Sequence, residues 1–124
     1  PISSAVLRGG AVTYVNEVKE RVLGVSARSI AEHTEVSHEV AREMAAGSRR
    51  LFGSDVAVSL TGYAGPGEGT EENPVGTVYI GVSSAAGTES FRRTFGGYRA
   101  RVRAEAALAA LGLALARVDS MEMG

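Results

Sequence analysis

The sequence predicts an α/β domain: a mixed β-sheet flanked by helices, an α/β/α sandwich built as a single domain. Three observations carry this. The chain has 124 residues, enough for one core and too few for two ordinary domains. Strand-like and helix-like patterns alternate along its first half. Two strand-like runs joined by a short turn follow, and then a long apolar helix.

The elements follow in chain order. Val6 to Val15 is β-like around Gly9-Gly10. Asn16 can cap a short helix from Glu17 to Leu23, closed by Gly24. Ser26 can cap another short turn through His33. Ser37 starts a longer helix to Phe52. There Val40, Met44, Gly47, Leu51 and Phe52 share one face at helical spacing, and Gly53 stops the helix. Val56 to Leu60 is a buried strand. The Gly- and Pro-rich stretch Thr61 to Gly76 is a loop, of a length that is usually functional or disordered. Thr77 to Ser83 is a second strand, Ala85-Ala86-Gly87-Thr88 a hairpin connection and Glu89 to Phe95 a third strand. Gly96-Gly97 leads into a final helix from Tyr98 to about Val118. Val102, Ala106, Ala109 and Leu113 mark one face of that helix, and Leu108, Leu111, Leu115 and Val118 another. A helix apolar all round is buried on more than one side, so extra cover is expected from a partner subunit or from further chain.

Composition excludes several function classes. Apolar residues are 44% and charged residues 22%, a globular rather than a disordered balance. A net charge of −1 argues against sequence-independent nucleic-acid binding, which needs a large basic surface. No uninterrupted apolar run suggests a membrane span, and no basic-then-apolar leader suggests secretion, so a cytoplasmic location is expected. The absence of Cys excludes disulfides, thiolate catalysis and cysteine metal sites. A first residue of Pro rather than Met suggests a processed, tagged or partial product. Twelve Arg stand against a single Lys, Lys19. A GC-rich coding bias accounts for most of that skew. Lys, unlike Arg, can lose its proton inside a protein, which makes Lys19 a candidate for proton chemistry.

Three clusters could carry function. The loop Thr61-Gly62-Tyr63-Ala64-Gly65-Pro66-Gly67-Glu68-Gly69-Thr70 permits close backbone approach and positive φ, which suits an anion or a planar ligand. It lacks the Gly-Lys-Ser/Thr of a P-loop, and a mobile connector is an equal reading. Arg92, Arg93, Arg99, Arg101 and Arg103 form a basic cluster, with Arg99 and Arg103 one turn apart at the start of the last helix. Arg there opposes the helix dipole, and a bound anion would offset that cost; ion pairs with the many Glu residues are the alternative. Arg92 and Arg93 alternate across a strand, so only one can face a site. In the group Tyr14, Asn16 and Lys19, Tyr14 and Lys19 could point at one crevice beyond a strand end, a usual place for α/β sites; a half-buried Tyr and a solvated Lys are the alternative. His33 and His38 have no acidic pair at ligand spacing, so no metal is expected, and His38 reads as a surface residue. Asp55 and Asp119, the only aspartates, look peripheral, and no Ser-His-Asp arrangement can be nominated.

Taken together these segments resemble the CinA C-terminal domain family. The resemblance rests on Gly9-Gly10-Ala11-Val12-Thr13-Tyr14 with Asn16, Lys19 and Leu23-Gly24-Val25, and on His33 with Val36-Ser37 and Val40-Ala41. Its most specific part is Thr61-Gly62-Tyr63-Ala64-Gly65-Pro66 followed by Pro74-Val75-Gly76-Thr77-Val78-Tyr79. Phe95-Gly96-Gly97-Tyr98-Arg99 with Val102-Arg103 matches the family's closing helix start. The likeness covers residues 1–118.

The resemblance implies nicotinamide-nucleotide amidohydrolysis: nicotinamide mononucleotide and water give nicotinic acid mononucleotide and ammonia, a step of pyridine-nucleotide salvage. It implies a serine nucleophile with a lysine base and no metal or other cofactor. Tyr14 and Lys19 resemble the family's tyrosine and catalytic lysine, and Thr61 its substrate-contacting threonine. Gly62 and Gly65 fall in the loop expected to offer backbone N–H groups to the tetrahedral intermediate. Arg99 or Arg103 matches the phosphate-side arginine. A base must be neutral part of the time, and desolvation with nearby Arg charge favours that for Lys19.

The family's serine lies in a Glu-Ser-Cys-Thr-Gly-Gly-type segment that would precede Pro1. The expectation is therefore an N-terminally incomplete domain, 1–124, itself inactive. Ser3 and Ser4 resemble a later Pro-Gly-Ser-Ser turn. Tyr98 stands where the family has Asp, and His33-Thr34-Glu35 where it has His-Gly-Ala, read as a surface change. The alternative function is a non-catalytic nucleotide-binding or interaction module linked to competence or DNA-damage responses. Expected partners are a small-molecule nucleotide and, through the last helix, a second copy in a homodimer or higher oligomer; neither nucleic acid nor membrane is expected.

Overall fold

The structure, a computed structural model, describes residues 26–34, 36–63, 65 and 67–123. The expected strand at Val6 to Val15 and helix at Glu17 to Leu23 lie outside these. The described chain runs α1 (Ala27–His33), α2 (His38–Phe52), β1 (Val56–Gly62), β2 (Thr77–Ser84), β3 (Gly87–Thr94) and α3 (Arg99–Met123). The α/β layering is present, and the three described strands pair antiparallel in the order β1-β2-β3.

The helix ends follow local chemistry. Ser26 caps α1 by accepting from the Ser29 amide, and Ser37 caps α2 by accepting from the Val40 amide. Gly53 closes α2 in the left-handed conformation, with φ 59° and its N–H on the Arg49 carbonyl. Thr34 is different. It is exposed, as a surface reading requires, but it ends α1 at φ 66° and ψ 168°, a region almost confined to glycine. It is the only non-glycine residue with positive φ among the described residues. Its hydroxyl donates to the Val36 carbonyl at 3.2 Å, and the Ser37 hydroxyl donates to the Thr34 carbonyl at 3.0 Å, so the turn into α2 holds it there. Thr34→Gly is expected to raise unfolding stability by about 1 kcal/mol, since relief of strain outweighs the extra freedom of the unfolded chain. Urea unfolding measures this, and a loss of stability would mean that the hydroxyl contact matters more than the strain.

Strand alternation sorts the sheet into two faces. Val56, Val58, Val78, Ile80 and Val82 turn to one face with Phe91 and pack against Val102, Ala106, Ala110 and Ala114 of α3. The other face offers Ala57, Ser59, Tyr79, Gly81 and Ser83 to α2. Apart from Tyr79 these side chains are small, and at Ser59 and Gly81 the helix backbone comes close enough for the Ser59 hydroxyl to donate to the Ala41 carbonyl at 2.7 Å. All eight residues of β2 are buried, covered on both faces. Ile30 of α1 packs on Val40 and Met44.

The last helix partly departs from its expected faces. Its buried stripe is Val102, Ala106, Ala110 and Ala114, with Ala109, Leu113 and Val118 packed beside it. Leu108 and Leu111 are 69% and 42% exposed. The half-buried end is fixed by Arg117, which donates to Ser84 Oγ at 2.7 Å and to the Gly87 carbonyl at 2.9 Å and pairs with Glu89. Among the described residues no helix is long and apolar enough to cross a membrane.

Candidate functional site

The loop between β1 and β2 is tied down at both its base and its tip. At the base the Tyr63 amide donates to the Thr77 carbonyl at 3.0 Å and the Gly76 amide to the Tyr63 carbonyl at 2.6 Å. The Phe95 amide then donates to Gly76 at 2.9 Å, stitching the loop to the end of β3. Gly76, at φ 97°, is needed there, because a Cβ would overlap the Phe95 carbonyl oxygen. Toward the tip, Thr70 and Asn73 close a turn through the Thr70 amide on the Asn73 carbonyl (2.9 Å) and the Asn73 amide on Thr70 Oγ1 (3.0 Å). Asn73 Oδ1 accepts from the Tyr79 hydroxyl at 2.8 Å and from Arg92 Nε at 3.4 Å.

The loop also meets the start of α3. Gly65 is buried with the Arg99 guanidinium packed where its Cβ would be. Glu68 Oε1 accepts from the Gly65 amide at 2.7 Å and lies 3.6 Å from Arg99 Nη2. Both charged side chains remain about half exposed, so this ion pair adds little stability. No acidic residue lies in the first turn of α3, and Tyr98, which precedes it, is 74% exposed and is not a capping residue type. A buried glycine amide, a guanidinium fork and a helix start therefore converge at one corner. Such a set recognises phosphate or carboxylate.

The other expected site residues distribute as follows. Thr61 is buried near the end of β1, opposite Tyr79 in register on the α2 side. Gly62 has a packing reason to lack a side chain, since a Cβ would stand 2.5 Å from the Thr77 carbonyl oxygen and 2.8 Å from Val78 Cγ2. Arg103 lies one turn beyond Arg99 and is exposed; the contact with Gly65 and Glu68 is made by Arg99. Arg92 and Arg93 do split between the sheet faces. Arg92 reaches Asn73 and the Glu72 carbonyl, while Arg93 lies 5.4 Å from the Phe91 ring centroid on the other side. Arg101 forms an ion pair with Glu105 at 3.1 Å, the alternative open for this cluster. Tyr14 and Lys19 lie outside the described residues.

Sequence reasoning missed a polar network under α2. His38, expected at the surface, is half-buried, with Nδ1 2.6 Å from Ser90 Oγ and its ring edge-on to Tyr79 at 4.7 Å. Arg42 Nη1 donates to the same Ser90 oxygen at 3.0 Å. His38 and Arg42 share a helix face at i, i+4, but their partner is 52 residues beyond His38. No local pattern could have signalled it. Thr77 Oγ1 is buried and has no hydrogen-bond partner among the described residues. Among the described residues no three His, Asp or Glu side chains group so as to hold a metal ion.

Comparison with known proteins places this geometry in context. Residues 1–118 match the family model "CinA C-terminal domain". A CinA-like protein of Anaeromyxobacter sp. (strain K) is 51% identical over 113 residues, covering 91% of this chain and 28% of that protein. A CinA-like protein of Geobacter sulfurreducens is 47% identical over 109 residues, covering 88% of this chain and 26% of that protein. Among solved structures, a competence-damaged protein (CinA) superfamily protein from Enterobacter cloacae superposes with a TM-score of 0.81 at 34% identity. That match covers 87% of this chain and 64% of the other. The competence/damage inducible protein CihA from Agrobacterium tumefaciens also reaches 0.81, at 33% identity over 85% of this chain and 65% of its own. The chain thus spans about a quarter of those curated relatives and about two thirds of those solved chains.

Proposed function

The chain belongs to the CinA C-terminal domain family, and from that premise we propose that it is part of a nicotinamide-nucleotide amidohydrolase. The reaction is hydrolysis of nicotinamide mononucleotide to nicotinic acid mononucleotide and ammonia. The carboxamide C–N bond breaks, and water supplies the new hydroxyl and the proton that leaves with ammonia. The observation that carries the reading is the corner at which Arg99 packs on Gly65 while a carboxylate accepts from the Gly65 amide. An amide and a guanidinium already holding an anionic group suit the nucleotide phosphate. In this reading Arg99 binds the phosphate and Arg103 supports it. Thr61 and the glycine loop face the rest of the nucleotide, with Gly62 and Gly65 contributing backbone to its cradle. Lys19 serves as the base for a serine nucleophile, and Tyr14 orients the proton transfer. The assignment of Lys19 and Tyr14 rests on the family resemblance.

The direct test is ammonia release from nicotinamide mononucleotide, measured on the gene product and on the 124-residue chain side by side. Activity confined to the gene product supports the serine–lysine reading. Silence in both, with nucleotide binding retained, supports a binding module instead. Activity in the short chain would put the nucleophile within these residues and overturn the proposed mechanism. In the active protein Arg99→Ala is expected to raise KM by about 10- to 100-fold with little change in kcat, the loss of one charge-assisted contact made equally in ground and transition states. An unchanged KM in both Arg99→Ala and Arg103→Ala would defeat the phosphate assignment.

A further inference from the structure

Arg99 has a carboxylate beside it already, and that carboxylate comes from the loop rather than from the helix. Glu68 Oε1 bonds the Gly65 amide at 2.7 Å and stands 3.6 Å from Arg99 Nη2. The Glu68 amide in turn donates to the Gly65 carbonyl at 3.3 Å, so Glu68 and Gly65 are held to each other by backbone as well as by side chain. The two donors it engages, a backbone amide and a guanidinium, are those that would recognise a ligand phosphate or carboxylate. A side chain about half exposed and held by one good hydrogen bond and one long ion pair is placed to leave.

We propose that Glu68 is a built-in competitor: its carboxylate occupies the Gly65–Arg99 anion subsite in the unliganded protein, and an incoming phosphate displaces it. This rests on the reading of Arg99 as the phosphate-side residue. The consequence is a tax on affinity, because ligand binds only to the fraction of molecules in which Glu68 has swung out. It also favours strongly anionic ligands, since a neutral or weakly charged nucleoside cannot displace a carboxylate from a guanidinium. Glu68 therefore sets specificity for the phosphorylated substrate without touching the amide that reacts.

The test is a titration of the intact protein with inorganic phosphate at constant ionic strength, read from the Gly65 amide shift by nitrogen-15 NMR. Wild type, Glu68→Gln, Glu68→Ala and Arg99→Ala are compared. Glu68 lies on an exposed turn, so both of its variants should fold. Glu68→Ala is expected to lower the apparent Kd about three- to tenfold, with Glu68→Gln between it and wild type, and Arg99→Ala to remove most of the response. Equal or weaker phosphate binding in Glu68→Ala, with Arg99→Ala still defective, overturns the competitor role and leaves Arg99 in place. Undiminished binding in Arg99→Ala overturns both.

Discussion

Gly81→Ala is expected to cost more than about 3 kcal/mol of unfolding stability, a large share of what a domain of this size possesses. Gly81 sits in the middle of β2 beneath α2. A Cβ there would overlap the Ala41 carbonyl oxygen and stand 2.6 Å from Ser59 Oγ. The first obstacle is backbone, which cannot turn aside as a side-chain tip can. Relief requires α2 to lift off the sheet, which breaks the Ser59–Ala41 hydrogen bond and opens the packing around Ala41 and Tyr79. Gly112 is the matched control. It lies on α3 with nothing within 4 Å of its would-be Cβ among the described residues, so Gly112→Ala is expected to stabilise by about 1 kcal/mol through helix propensity. Urea unfolding of the two variants should move in opposite directions. A Gly81→Ala protein within 1 kcal/mol of wild type would mean that α2 does not press on the sheet at this point.

On the proposed role of Lys19 as the base, Lys19→Arg in the intact gene product is expected to reduce ammonia release from nicotinamide mononucleotide by about 10²- to 10⁴-fold, the usual contribution of a general base. The substitution keeps the positive charge and much of the bulk. It removes only the ability to be neutral, which Arg lacks in a protein. Circular dichroism and thermal unfolding should be unchanged, and KM should move little. Turnover retained at more than about a tenth of wild type would take Lys19 out of the proton-transfer step.

Much of the fold could be read locally. Ser26 and Ser37 start their helices where a side-chain oxygen meets a free first-turn amide, and Gly53 ends α2 where a left-handed residue is required. The three described strands fell within a few residues of their expected places, because alternation and turn residues act over short separations. The reading that Arg92 and Arg93 face opposite ways needed only the two-residue period of a strand. The last helix was harder. Its residues are apolar on nearly every side, so the pattern could not choose a face, and close packing selected the narrow alanine stripe Ala106, Ala110 and Ala114. Thr34 shows the converse: sequence placed it correctly at the surface, yet the backbone it must adopt is imposed by the turn joining α1 to α2.

The candidate site divides along the same line. The residues with suitable chemistry, the loop glycines and the arginines at the start of α3, stand out by type and spacing, because their donors and conformational freedom are intrinsic to them. Which arginine meets which glycine is not intrinsic. Arg99 rather than Arg103 packs on Gly65, Glu68 folds back between them, and His38 finds Ser90 from far along the chain. Periodicity and capping reach only about one turn of helix or one strand repeat. Contacts across the sheet and between loop and helix depend on where whole elements come to rest, so three-dimensional packing alone assigns them.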